Sequence, residues 1–497
     1  MLQTAISAKV RDRLAGDARL FIDGEWRAPH SDARLDVIDP STETRIAEIA
    51  DSDAQDIDAA VAAARRAFDD GRWSKLSGFM RGEMLMRLAA LIERDADEFA
   101  EIESIDNGKT RFMAGMIDVP ASVTSLKTAA GWASRMSGET LEPAGFFGPG
   151  ARFHAYTRRE PVGVCALIVP WNFPLLMAMG KLGSALAAGC TVILKPAEQT
   201  SLTALRFADL VAEAGIPAGV INIVTGRGEQ AGDLLVKHAD VDKISFTGST
   251  PVGKMITRNA AETLKRVTLE LGGKSPVIVM PDADMDAAAG GVANGIFFNH
   301  GQVCVAGSRL YAHRSVFDKL VESVSESARS FNLGPSLSGD TTMGPLVSAE
   351  QRDRVMQYIE SGRSDGATLT AGGEAPSQQG YFVEPTVLVD VKPDMRVVRE
   401  EIFGPVLVAQ RFDDANDVIA AANDTPYGLA ATVWTRDLGT MHRMAIDLRA
   451  GSVWGNCHGI VDANLPFGGF KQSGVGRESG RVGVEAYTEL KTVAIAI

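Results

Sequence analysis

Between Val162 and Ala261, short apolar runs alternate with stretches of helical period, roughly one pair every twenty to thirty residues. The apolar runs are Val162–Val169, Thr191–Leu194, Val220–Val224 and Lys243–Phe246. Between and after them a helical stretch through Ala188, then Leu202–Ala214, Gly228–His238 and Val252–Ala261, carry the helical period. Strands covered on both faces read as unbroken apolar runs, and helices cover those faces only when the strands are parallel. The pattern therefore predicts an α/β fold built from βαβ units.

A second α/β run spans Leu271 to about Lys471, with strands near Val277–Met280, Arg309–Ala312, Val406–Phe412 and Ala431–Trp434. Ahead of both units lie strands at Arg19–Trp26, folded about Asp23-Gly24, and at Leu35–Ile38. Helical runs follow at Ile57–Phe68, Arg81–Arg94 and Ala96–Asn107. Strand-like segments 139–159 and 487–497 belong to neither unit and need a partner sheet, which suggests a small protruding domain associating between subunits. At 497 residues the chain exceeds the size of one core, so two or three domains are expected.

Composition excludes several function classes. Fifty Lys and Arg stand against 63 acids with no basic run, which argues against nucleic acid as a partner. The four cysteines, Cys165, Cys190, Cys304 and Cys457, form no C-x-x-C pair and the histidines no H-E-x-x-H, so no metal is expected and a reducing cytoplasm is the simplest compartment. The start, MLQTAISAKVRDRL, lacks a leader's apolar core, and no apolar stretch is long enough to span a bilayer.

Three strand ends of the first unit turn small or polar: Leu194-Lys195-Pro196-Ala197-Glu198, Thr225-Gly226-Arg227-Gly228 and Phe246-Thr247-Gly248-Ser249-Thr250. Ligands of open α/β sheets bind outside the carboxyl ends of the strands, where glycine admits a phosphate and a helix N-terminus offers N–H donors. The glycine spacing does not fit G-x-G-x-x-G, and a plain strand-to-helix turn would use glycine too. Gly248 to Lys254 spells the opening of a P-loop, but Met255 stands where the magnesium-binding hydroxyl belongs and Pro251 removes an amide. A carboxylate at Glu198 can accept from both hydroxyls of an adenine ribose and would repel a 2′-phosphate, while Lys195 pulls the other way. NAD is favoured and NADP is not excluded; the alternative is a surface Lys/Glu pair.

Three residues stand against their surroundings. Cys304 follows a polar, glycine-containing interruption of an apolar stretch, which suggests a bend presenting a thiol. Glu270 lies in an apolar strand-like stretch with Gly272-Gly273 behind it, where desolvation would raise its pKa as a general base requires. Asn172, fixed between Pro170 and Pro174, could donate to a developing oxyanion. In isolation each has a structural alternative: a small core thiol, a salt-bridged core Glu, a turn Asn.

Taken together, PWNFP (170–174), LKPAEQT (194–200), FTGST (246–250), LELGGK (269–274), FFNHGQVC (297–304), EEIFGPV (400–406) and LPFGGFKQSG (465–474) resemble the aldehyde dehydrogenase superfamily across essentially the whole chain. The resemblance implies a Rossmann-like cofactor domain (1-138 and 160-270), a catalytic domain (271-475) and a small β oligomerisation domain (139-159 and 476-497) of a homodimer or homotetramer. It implies that Cys304 attacks the aldehyde, Asn172 and the Cys304 N–H hold the oxyanion, and Glu270 activates water against the thioester. Lys181 and Glu478 match proton-relay positions. Cofactor contacts fall to Trp171, Lys195, Glu198, Gly228, Gly248, Ser249, Leu271, Glu401 and Phe403. Because acylating relatives that use coenzyme A commonly lack the base, Glu270 favours release of a free acid.

The implied aldehyde tunnel is apolar: Phe173, Met177, Phe298, Val303, Val305, Val461 and Phe467, with Gly180 widening it. Segments 130–143, 158–164 and 460–469 look most like bacterial phenylacetaldehyde dehydrogenases, so an aryl aldehyde is expected. Asp462, facing the entrance, would instead suit an aminoaldehyde or γ-glutamyl-aminobutyraldehyde. A non-catalytic family member and a thiol esterase are the readings from other classes; the intact triad and the cofactor motifs argue against them.

Overall fold

The computed structural model describes residues 6–144, 148 and 150–497. The first five residues, and 145–147 and 149 of the segment expected to associate between subunits, lie outside the described residues.

The first sheet is eight-stranded and has five parallel strands at its centre. The chain enters at Val164–Ile168 and steps one way through Thr191–Lys195 and Ile221–Ile223. It then returns to the other side through Lys243–Thr247 and Arg266–Glu270. The order reverses between Val164–Ile168 and Lys243–Thr247, the place where open α/β sheets bind ligands. Alternation of side chains explains the two cores on its faces. Cys165, Leu167, Val192 and Leu194 pack under helices Gly78–Arg94, Val119–Ala133, Pro174–Ala188 and Leu202–Glu213. Val164, Ala166, Ile168, Ile193 and Ile244 meet Ala54–Asp69, Asp233–Lys237 and Thr250–Ala260 on the other face.

The second sheet has seven strands, in the order Thr368–Ala371, Thr386–Val389, Val406–Phe412, Arg309–His313, Pro276–Val279, Ala430–Trp434, Ser452–Gly455. All its pairings are parallel except the first. Glu270 ends a strand of one sheet and Pro276 begins a strand of the other, so the carboxyl edge of the first meets the amino edge of the second. The candidate site occupies this seam.

A third sheet joins Thr140–Leu141, Phe153–Pro161 and Thr488–Ala496. The strand Phe153–Pro161 crosses the expected boundary at 159/160. Gly474–Val475, expected with the second unit, pairs antiparallel onto Arg266–Glu270. Helix Gly480–Glu485 packs mainly on helices Val119–Ala133 and Pro174–Ala188 and also touches strand Thr488–Ala496 of the small sheet. Among the described residues no helix is long and apolar enough to cross a membrane.

Candidate active site

Asn172, Cys304 and Glu270 come from three separate elements and meet at the seam. Asn172 lies in the turn after strand Val164–Ile168, with Pro174 opening the next helix. Its Nδ2 donates to the Gln302 carbonyl at 2.9 Å, two residues before the thiol. A carbonyl cannot donate, so this bond fixes the amide's orientation and leaves a second N–H for another acceptor.

The Cys304 loop leaves helix Met285–Phe297 through Asn299 (φ 46°) and His300 (φ 58°), both left-handed, followed by Gly301. Such backbone costs on the order of 1–3 kcal/mol at each non-glycine position and persists only where neighbours enforce it. Here they do. His300 Nε2 accepts from Gly344 N at 3.1 Å, and Gln302 Oε1 accepts from Val347 N at 3.1 Å.

Around the thiol, backbone N–H groups of Cys304 and Val305 are the stabilising donors. Burial, with the carboxylates of Glu401 and Glu270 behind it, pushes the Cys304 thiol up to about 12. The protein alone thus keeps this group a neutral thiol at neutral pH.

Glu270 is buried, and among the described residues neither carboxylate oxygen has a hydrogen-bond partner of good geometry, the Gly469 N–H acting on it only weakly. Leaving a buried acceptor unpaired costs about 1–3 kcal/mol, a cost that fits a group kept ready for a reactant better than a structural one. Burial pushes its carboxyl well above the usual range and Glu478 adds to this, with Lys181 and Arg477 pulling the other way. Lys181 pairs with Glu478, and Ser245 Oγ bridges them, accepting from Lys181 Nζ at 3.1 Å and donating to Glu478 Oε1 at 3.0 Å.

Close approach explains the paired glycines of the LELGGK motif. A Cβ on Gly272 would lie 2.1 Å from Glu401 Oε2, and one on Gly273 2.5 Å from the Cys304 carbonyl oxygen. Glu401 Oε1 accepts from Gly273 N at 2.8 Å, and burial pushes its carboxyl up to about 7. Phe403, at φ 61°, meets Trp171 edge to face at 5.2 Å.

Of the expected cofactor residues, Trp171, Gly248 and Ser249 follow the two strands at the reversal of the first sheet, Lys195, Glu198 and Gly228 lie at or after the ends of the next two strands, and Glu401 and Phe403 belong to the second unit. Helix Thr250–Ala260 opens at Ser249, which is exposed and makes no side-chain cap bond, and the buried Thr247 Oγ1 just before it has no partner. Lys195 is buried with Nζ 3.5 Å from Glu198 Oε2, whose carboxylate is about one-third exposed. Gly228 is exposed with open space over its Cα, whereas a Cβ on Gly248 would strike the Phe246 ring. A free helix N-terminus, an unpaired hydroxyl and an accessible carboxylate are the donor and acceptor set a dinucleotide requires. Leu271 is buried in the core, which leaves only its backbone to face a ligand.

Of the tunnel residues, Val303, Val305 and Phe467 pack with Cys304 in one apolar cluster. Phe173 and Phe298 stack at 6.1 Å, Met177 packs onto the first core, and a side chain at Gly180 would meet open space. Val461 is 52% exposed and joins none of these contacts. Cys457, given no role from the sequence, belongs to the Cys304 cluster. Sequence reasoning also missed Glu103, Asn107, Lys109 and Asp118, which lie directly behind Asn172.

A thiol beside an oriented amide, a desolvated base and a dinucleotide-type sheet edge define an enzyme of covalent carbonyl chemistry. The chain belongs to the aldehyde dehydrogenase family, whose model matches residues 26–493. It is 48% identical over 480 residues to the phenylacetaldehyde dehydrogenase of Pseudomonas fluorescens, covering 96% of each. Against human aldehyde dehydrogenase 1A1 it is 46% identical over 481 residues, 96% of this chain and 95% of that one. A solved NAD+ complex of an aldehyde dehydrogenase from Bacillus cereus superposes with a TM-score of 0.96 at 46% identity, covering 99% of both chains.

Proposed function

We propose that the protein oxidises an aryl aldehyde such as phenylacetaldehyde to its carboxylic acid with NAD as oxidant. The observation that carries this is the convergence of Cys304, the Gln302-anchored amide of Asn172 and the unpaired, buried Glu270 at one seam. The Cys304 thiol gives up its proton to solvent and the thiolate attacks the carbonyl carbon. The resulting oxyanion is held by the free N–H of Asn172 and the Cys304 N–H. Ser249, Glu198, Lys195 and the Trp171–Phe403 wall would hold NAD, which when bound would supply the hydride acceptor for oxidation of the thiohemiacetal to a thioester. Glu270 then takes a proton from the water that attacks the thioester, the C–S bond breaks to release the acid and the Cys304 thiolate, and the Glu478 carboxylate, paired with Lys181, receives the proton.

The aryl preference rests on the Phe173–Phe298 stack, the apolar cluster around Cys304 and the open space at Gly180. The P. fluorescens relative, named for phenylacetaldehyde, supports it. Asp462 favours a second reading: it is exposed in the loop after Ile460, accepting from Asn464 N at 2.8 Å, where its charge could meet an aminoaldehyde.

The domain reading assigns the first sheet to the cofactor, the second to the nucleophile loop and the third to association of subunits into a dimer or tetramer. Strand Thr488–Ala496 supports the last, because among the described residues only one of its edges is paired and Leu490 and Ile495 are exposed. Four free cysteines suit the reducing cytoplasm.

The test follows reduced nicotinamide by absorbance with phenylacetaldehyde, hexanal and an aminoaldehyde, each with NAD and NADP. The expected result is highest kcat/KM for phenylacetaldehyde with NAD. No reduction with any of them would leave an esterase or a non-catalytic protein, and equal rates would defeat the aryl preference alone.

A further inference from the structure

The turn carrying Asn172 is held from behind by side chains more than sixty residues earlier in the chain. Asn107 Nδ2 donates to the Trp171 carbonyl at 2.7 Å, and Leu175 N donates to Glu103 Oε2 at 3.2 Å. Between them, Lys109 Nζ donates to the Asn172 carbonyl oxygen at 3.0 Å. The ammonium lies 4.5 Å from the centre of the Phe173 ring. Lys109, Glu103 and Asp118 all have 0% side-chain exposure, with Nζ 2.6 Å from Asp118 Oδ1 and 3.2 Å from Glu103 Oε1.

The same carbonyl accepts a second hydrogen bond, from the nucleophile loop. Asn299 Nδ2, on the left-handed stretch of the nucleophile loop, donates to the Asn172 oxygen at 3.0 Å. Asn172 in turn donates to Gln302 of that loop. The Asn172 carbonyl oxygen is therefore where a buried ammonium and the Cys304 loop both attach.

We propose that Lys109 and Asn299 are positioning residues that set the Asn172 amide against Cys304 by both donating to the Asn172 carbonyl oxygen. This rests on Asn172 being the oxyanion donor. Ion pairs buried this completely are no better for stability than apolar packing, so a charge at this place needs a reason beyond holding the fold. The reason is geometric. An oxyanion donor works only within a few tenths of an ångström of its distance, and a misplacement of about 1 Å costs on the order of a hundredfold in rate. A charge-assisted bond to the backbone of the donor residue limits that drift. Burial pushes the Glu103 carboxyl well up, toward its neutral form, while the charge of Lys109 draws it the other way.

The experiment is a double-mutant cycle on the rate of the first turnover, read as the burst of reduced nicotinamide with saturating NAD and phenylacetaldehyde. Lys109→Met with Asp118→Asn removes the ion pair without stranding a charge. Asn172→Ala removes the donor, with an expected loss of about a hundredfold. The ion-pair variant should lose about tenfold or more in burst rate, with the KM for NAD within twofold of the parent. Combined with Asn172→Ala it should lose little further, because a donor already absent cannot be misplaced. Losses that multiply would show Lys109 acting independently of Asn172 and overturn the proposal. An undiminished burst in Asn172→Ala would instead overturn the donor reading, and this proposal with it. If thermal melting shows the ion-pair variant unfolded, Asn299→Ala takes its place in the cycle, and multiplying losses there overturn the proposal equally.

Discussion

The Lys181 ammonium and the Glu478 carboxylate form an ion pair, Lys181 almost wholly buried, and both charges act on the carboxyl of Glu270 in opposite senses. Each can be removed separately, which gives a test with opposed signs. Lys181→Met removes a cation that favours ionised Glu270, so the pH at which the base becomes active should rise. Glu478→Gln removes an anion that disfavours it, so that pH should fall. Displacements on the order of one pH unit are expected in the rising limb of kcat, measured where thioester hydrolysis limits turnover. Movement of both variants in the same direction would mean that the pair does not tune Glu270.

The Cys304 thiol, pushed up to about 12 by burial and by the carboxylates of Glu401 and Glu270, remains protonated at neutral pH in the protein alone. Because the thiolate is the reactive form, alkylation by iodoacetamide without cofactor should be slow. Its rate should climb about tenfold per pH unit from pH 7 to pH 10 with no plateau. The positive ring of an oxidised nicotinamide should accelerate it at fixed pH. Labelling of Cys304 alone can be followed by mass spectrometry, and a plateau near pH 8 without cofactor would contradict the stated environment. Cys304→Ala should abolish both aldehyde oxidation and any ester hydrolysis.

The legible part of the site is the part that conflicts with its local sequence. Glu270 is a carboxylate in an apolar strand, Asn172 an amide between prolines, and Cys304 a thiol after a glycine-containing break; each signals a cost that needs a reason. Lys109 carries no such signal. Asp106-Asn107-Gly108-Lys109 at a helix end reads as a solvated cap, and only the tertiary fold carries it beneath Phe173. Strand Thr44–Ala50 escaped for a related reason, since exposed Arg45 and Glu48 mask its buried Ala47 and Ile49. In the central parallel strands every residue of Val164–Ile168 and Thr191–Lys195 is buried, and there the apolar run and the strand coincide closely.

Replacing Glu270 by Gln keeps its size and removes its basicity. Hydride transfer needs no base at this position once the thiohemiacetal has formed, whereas hydrolysis does. Glu270→Gln should therefore show a burst of reduced cofactor of near-parental amplitude followed by turnover about a hundredfold or more slower. A variant lacking both burst and turnover would place Glu270 earlier, in activating the thiol.

The accessible carboxylate of Glu198 lies 3.5 Å from the buried Lys195 ammonium, and at the proposed ribose site it would discriminate between cofactors. Removing it frees Lys195 to face a 2′-phosphate and removes the repulsion. Glu198→Gln should raise KM for NAD and lower KM for NADP, shifting the ratio of kcat/KM toward NADP by on the order of tenfold. An unchanged ratio would take Glu198 out of the ribose site.

Gly180 lies on helix Pro174–Ala188, one residue before Lys181, and an added Cβ there meets nothing within 4 Å. A larger side chain can therefore enter that space with little disturbance of the fold. Gly180→Phe should melt within a few degrees of the parent. If the space is the channel through which an aryl group approaches Cys304, kcat/KM for phenylacetaldehyde should fall on the order of tenfold or more, a loss of about 1.4 kcal/mol per factor of ten. Acetaldehyde, small enough to pass beside the new ring, should change by less than about threefold. Equal losses for the two aldehydes would mean that the substitution disturbs Lys181 instead, because a relay defect slows hydrolysis of every thioester alike. Selective loss of the aryl substrate assigns the open space to the substrate.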